Sequence, residues 1–191
     1  MRTALALLLA AGAVFRVVAN EHGVEVSQRL DTHLIEFRAD GNIDAPPERV
    51  RALMLDYGRA QALSKEVAEC RVLRRGDHFI DVYQRLSLPV VDDRDYTLHV
   101  TWGEEGDVLW LRFDAANELG PAPRAGVVRV PLHHGSWRFA PGPNGSTQAH
   151  YEIRMDLGGS LPAFMARKGA GDSIPAFFEG LRRELRQPGR E

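Results

Sequence analysis

Along most of this chain apolar residues recur at every second position, and the exceptions mark the helices. A first strand is predicted from His33 to Asp44, where Ile35, Phe37 and Ala39 alternate with Leu34, Glu36 and Arg38. Asp44-Ala45-Pro46-Pro47-Glu48 then reads as a helix start. An aspartate can cap, proline is tolerated in a first turn, and a glutamate suits the positive end of the helix dipole. Val50, Leu53, Met54 and Tyr57 follow at helical spacing. Gly58 ends that helix, and a shorter one is expected up to about Ser64.

From Glu66 to Asp156 the period is two. Strands are predicted at Val67 to Arg74, Phe79 to Leu88, Arg94 to Trp102, Val108 to Ala115, Val127 to Phe139 and Thr147 to Leu157. Short Gly, Asn, Asp and Pro segments join most of them, as in an antiparallel meander with one wet and one apolar face. The tail returns to helical spacing. Gly158-Gly159-Ser160-Leu161-Pro162 opens a last helix, with Ser160 as its expected cap and Phe164, Met165, Ile174, Phe177, Phe178, Leu181 and Leu185 on its apolar side. Pro175 is expected to kink or split it.

The fold class expected from this order is α+β. A curved antiparallel sheet of about seven strands wraps a long C-terminal helix, with two short helices after the first strand. The apolar face of such a sheet needs a cover, and only the last helix is long enough. Strong curvature around one helix favours a space that side chains do not fill, although a filled core would show the same alternation.

The first residues change the picture of where the protein works. Met1-Arg2 starts positively, and Ala4 to Phe15 is an unbroken apolar run. It falls short of the roughly 20 residues that span a bilayer. Val17-Val18-Ala19 then offers small residues before Asn20. Residues 1–19 read as a secretory signal peptide, cleaved or retained as an anchor, which implies a periplasmic or secreted protein. Residues 20–32 are a lead-in, 33–186 the domain and 187–191 a tail. Cys70 is the single cysteine, so neither an internal disulfide nor a thiolate metal cluster is expected. The net charge of −2 supplies no basic face for nucleic acid.

Two local patterns carry a resemblance. Leu88-Pro89-Val90-Val91-Asp92-Asp93-Arg94-Asp95-Tyr96 is similar to the proline-valine to arginine-aspartate-aromatic strand entry of START domains. Asp156-Leu157-Gly158-Gly159-Ser160-Leu161-Pro162-Ala163-Phe164 resembles their entry to the last helix. Ile174-Pro175, Glu179-Gly180-Leu181-Arg182 and Gly135-Ser136-Trp137 also sit in matching places. Over roughly residues 33 to 186 the chain thus resembles the helix-grip superfamily of START domains, polyketide cyclases and aromatases, and birch-allergen-like carriers. One departure stands out: Thr97 to Trp102 lacks the second cavity arginine usual in sterol-binding members, so a sterol held by that arginine is not expected.

The resemblance implies a lipid or other hydrophobic small molecule as partner, held without catalysis or cofactor. A cyclase/aromatase-type enzyme is the alternative, with Tyr83, Gln84, Arg85 or Tyr151 as its available polar groups. Expected cavity residues are Tyr96, Leu98, Val100 and Trp102 on one strand face and Tyr151, Ile153 and Met155 on another. Phe164, Met165, Phe177 and Leu181 join them from the helix. Arg94 and Asp95 are read either as headgroup-steering residues at the mouth or as a structural ion pair. The irregular stretch Asn117 to Gly126 is a possible entrance gate. His133 and His134 point to opposite faces and so do not ligate one metal ion. Arg182, Arg183, Arg186 and Arg190 suggest a transient contact with an anionic membrane, or simply a solvated helix end. A monomer is expected.

Overall fold

The computed structural model describes residues 14–30, 34–89, 91–159 and 163–187, with side chains of the last segment described from Gly171 onward. Among the described residues there are ten strands and three α-helices. The order is β1 (Phe15–Glu21), β2 (Val24–Arg29), β3 (Ile35–Ile43), α1 (Pro47–Leu55), α2 (Ala60–Leu63), β4 (Val67–Arg75), β5 (Phe79–Leu86), β6 (Asp93–Glu105), β7 (Val108–Ala115), β8 (Val127–Arg129), β9 (Leu132–Pro141), β10 (Thr147–Asp156) and α3 (Ala163–Arg186). The sheet runs β1-β2-β3-β10-β9-β7-β6-β5-β4, with the three-residue β8 parallel to β6. This is the expected α+β helix-grip architecture: a large antiparallel sheet, short helices after β3, and a long C-terminal helix.

The sheet is larger than the alternation suggested. Residues of the expected lead-in form β2, where Val24 and Val26 are fully buried beside Gly41 and Ala39 of β3. β1 pairs with β2 as an edge strand, and Val17 and Val18 on it remain exposed. Three smaller expectations also change. Pro46, not Asp44, occupies the N-cap of α1, and no side-chain cap bond forms there. Val130-Pro131 divides the expected long fifth strand into β8 and β9, since proline has no N–H to give a ladder. Pro175 lies inside α3, which continues across it as one helix. The expected cap Ser160 lies outside the described residues.

The chain turns from β10 into α3 through Gly158 and Gly159, both with positive φ (66° and 67°). Asp156 Oδ1 accepts from the Gly158 amide at 2.9 Å. Two successive left-handed residues are readily available only to glycine, so this turn aims α3 back across the sheet. One end of the concave face is then filled. Phe37, Ile43, Val50, Phe139, Phe178 and Leu181 all lie fully or almost fully buried there, each contributing about 1.5–3 kcal/mol. Arg182 secures α3 to the sheet by donating to the carbonyls of Asn42 and His22, and Arg183 donates to the Ala62 carbonyl. These arginines of the expected membrane-facing end therefore make specific bonds within the fold.

Candidate functional site: a cavity between sheet and helix

The other end of the concave face is not filled. A cavity of about 590 Å³ lies between the sheet, α1, α2 and α3. Its walls follow from strand alternation. Tyr96 and Leu98 project from β6, Leu111 and Phe113 from β7, and Tyr151, Ile153 and Met155 from β10. Met54, Leu63, Ile174 and Phe177 close it from the helices. Ile153 and Tyr151 keep accessible surface although they sit on the concave face of the sheet, because that surface faces the cavity. The mouth lies where exposed lining residues Asp56, Pro89, Asp172 and Ala176 gather.

Trp137 separates the two halves. Its indole stacks on Tyr151 with centroids 4.3 Å apart, lies 5.3 Å from the Phe178 ring and 5.9 Å from Phe139, and also lines the cavity. Gly135, two residues before it, is opposite Phe113 in the ladder. A Cβ there would meet the Phe113 ring at 2.4 Å, so only glycine lets that ring cross the strand toward the cavity.

Polar groups inside the cavity are few and held neutral. Burial pushes the Tyr57, Tyr96 and Tyr151 phenols above the usual tyrosine range. The Tyr96 hydroxyl donates to Gln84 Oε1 at 3.0 Å, and the Gln84 amide reaches Cys70 Sγ at 3.5 Å. His133 is buried, with its imidazole pKa lowered to about 3, chiefly by desolvation and then by His134. Its ring meets Tyr96 (4.5 Å) and Phe113 (5.2 Å) edge-on. The sequence pointed to His133 only as a metal question and to Trp137 only within the resemblance, while Leu111 and Phe113 were left among ordinary strand residues. Alternation on β7 and β9 is the signal that could have found all four.

Of the residues expected to line a cavity, Tyr96, Leu98, Tyr151, Ile153, Met155 and Phe177 do. Val100 and Leu181 are fully buried in the filled half instead. Trp102 lies six positions beyond Tyr96, about 20 Å along the strand, and packs edge-on against His78. The side chains of Phe164 and Met165 lie outside those described.

Arg94 and Asp95 do not pair with each other, because successive strand residues face opposite sides. Asp95, on the convex face, accepts from Arg129 Nε (2.6 Å), Arg129 Nη2 (3.1 Å) and the Tyr83 hydroxyl (3.0 Å). Arg94 is equally buried on the concave side. It donates to the Asp92 carbonyl, its Nε has no hydrogen-bond partner, and no carboxylate pairs with it among the described residues. It lies beneath the Gly158–Gly159 turn, 3.7 Å from where a Gly159 side chain would begin.

The stretch Asn117 to Gly126, expected as a possible gate, lies away from the cavity. Asn117 bonds the Thr97 amide and the Val130 carbonyl, Arg129 donates to the Pro121 carbonyl, and Arg124 pairs with Glu69. These bonds fasten the loop to β4, β6 and the lead into β9, and no residue of 117–126 lines the cavity.

Residues 43–182 match the family described as polyketide cyclase / dehydrase and lipid transport. The chain belongs to that family. A Pseudomonas aeruginosa protein of uncharacterized function is 27% identical over 196 residues, covering 95% of this chain and 97% of that protein. The crystal structure of a STAR-related lipid transfer protein fragment from Xanthomonas axonopodis superposes with a TM-score of 0.83 at 26% identity, covering 91% of this chain and 99% of that one. Human StAR-related lipid transfer protein 5 shares the fold, with a TM-score of 0.80 at 19% identity over 91% of this chain and 86% of its own. The START-type helix-grip assignment thus rests on both sequence and fold.

Proposed function

We propose that this protein binds and carries a lipid without chemical change, outside the cytoplasm. The observation that carries the reading is the cavity itself: about 590 Å³, lined mainly by side chains such as Leu98, Leu111, Ile153, Met155 and Phe177, with charged residues gathered toward the mouth. That volume lies within the roughly 300–1,000 Å³ of small-molecule sites. Burying an acyl chain there contributes about 0.8 kcal/mol per methylene, so affinity needs no reactive group. The lipid-transfer proteins of the same fold support carriage.

The alternative is a cyclase/aromatase-type enzyme, favoured by the family's description and by the polar cluster of His133, Tyr96 and Gln84. Against it, the cavity tyrosines are pushed up and His133 is pushed down. Efficient proton transfer wants a pKa near the working pH, and those four groups lie far from neutrality.

Export rests on the apolar run Ala4 to Phe15 and the small residues ending at Ala19. Cleavage after Ala19 would remove most of β1, an edge strand with exposed side chains, and leave β2 and its buried valines in place. Mature protein recovered from the periplasm or medium should begin near residue 20; recovery from the cytoplasm with Met1 intact would refute export. For carriage, titration with a fluorescent long-chain lipid should show saturable uptake and transfer between vesicles. A protein that takes up none is not a carrier.

A further inference from the structure

Among the described residues, His133 is the cavity-lining residue with a polar side-chain atom both sealed from solvent and without a hydrogen-bond partner. Its Nδ1 is sealed from solvent and has no hydrogen-bond partner, and no hydrogen bond reaches Nε2 among the described residues. No other polar side-chain atom lining the cavity is both sealed and unbonded among the described residues. Tyr96 and Gln84 are bonded to each other, and the Tyr151 ring is stacked on Trp137. A neutral imidazole always carries one donor and one acceptor. Buried polar atoms without partners are rare in folded proteins, and each calls for an explanation. The Tyr96 and Phe113 rings stand edge-on to the imidazole at 4.5 and 5.2 Å, and an aromatic ring is only a weak partner for an N–H. Nε2 is then the nitrogen left for an occupant of the cavity.

We propose that His133 is the polar anchor of this cavity, taking the hydroxyl of an uncharged, single-chain or polycyclic amphiphile. The inference rests on the lipid-binding reading and narrows it. With the proton on the sealed Nδ1, Nε2 is left as an acceptor, so the matching group on the ligand is a donor, which a hydroxyl supplies and an ether or hydrocarbon does not. Size agrees. At the roughly 30 Å³ that one water occupies in the liquid, the cavity takes about 20 non-hydrogen atoms, enough for one chain or one fused-ring body. A site built to hydrogen-bond a hydroxyl strongly rejects an analogue that lacks it, because its own polar group is then left unpaired.

The test compares dodecan-1-ol with 1-methoxydodecane as displacers of a neutral fluorescent probe, N-phenyl-1-naphthylamine, from the full chain. The wild type is expected to prefer the alcohol by about tenfold, the factor that corresponds to about 1.4 kcal/mol. His133→Phe should bind both alike, through loss of affinity for the alcohol alone. His133→Gln, which keeps a donor and an acceptor, should recover part of the preference. Equal affinities in the wild type, with the probe taken up normally, would overturn the anchor and leave lipid carriage standing. A wild type that takes up neither the probe nor the alcohol would overturn both.

Discussion

Arg94 and Asp95 are neighbours in the chain, each no more than 2% exposed, yet they inhabit opposite regimes on the two faces of β6. On the convex face Asp95 has three hydrogen bonds from Arg129 and Tyr83, and Asp81 nearby pairs with Arg74 and His99. On the concave face, among the described residues, Arg94 lacks an acidic partner and the buried His133 Nδ1 lacks a hydrogen bond. Desolvating a charge or a polar group is tolerated when partners replace water. Asp95 and Asp81 have them. On the concave side Arg94 and His133 are desolvated without such partners among the described residues, and His133 lines the cavity.

That contrast predicts unequal responses to substitution. The largest concerns the convex network: Asp95→Ala leaves Arg129 and the Tyr83 hydroxyl facing a half-buried void, and should cost about 3 kcal/mol in urea denaturation. A loss below about 1 kcal/mol would mean the network is ornamental to stability.

Next comes acid. His133 titrates near 6.5 when unfolded but is held down to about 3 when folded. Between those values the unfolded state binds the extra proton, so stability falls as pH drops through that window, by about 1.4 kcal/mol per unit. His133→Gln should flatten that part of the stability profile. An unchanged slope between pH 6 and 4 would contradict the buried, neutral assignment.

Smaller still is the effect of filling the space. Ile153→Trp adds bulk where a void exists, so stability should stay within about 1 kcal/mol, while affinity for a fluorescent lipid drops about tenfold. Strong destabilisation with unchanged uptake would locate the ligand elsewhere. The least is Arg94→Met, which replaces a buried charge that has no acidic partner among the described residues with an apolar chain. It should leave stability unchanged or raise it by about 1 kcal/mol, opposite in sign to its neighbour.

Period and punctuation made most of the architecture legible: β3 to β7, β10 and α3 stand where alternation and helical spacing put them. The N-terminal hairpin was masked, because an apolar run ending in small residues reads as a leader before it reads as an edge strand. The alternation of Val24 and Val26 was present, but its partner Gly41 is known only from the ladder. The division of the concave face was not legible. Leu98 lines the cavity and Val100, two residues on, is core, since curvature and the Trp137 stack set the boundary while both residues share one alternation. Asp95 was visible as chemistry, but its partner Arg129 is 34 residues away on a short parallel strand that no local pattern announces.

Native mass spectrometry of the mature protein purified from its own compartment, followed by organic extraction, tests the central claim most directly. The account predicts one added mass per chain, released by solvent, with a single hydrophobic chain or fused-ring body and a free hydroxyl. A protein that arrives bare and gains no mass on incubation with such lipids would contradict it.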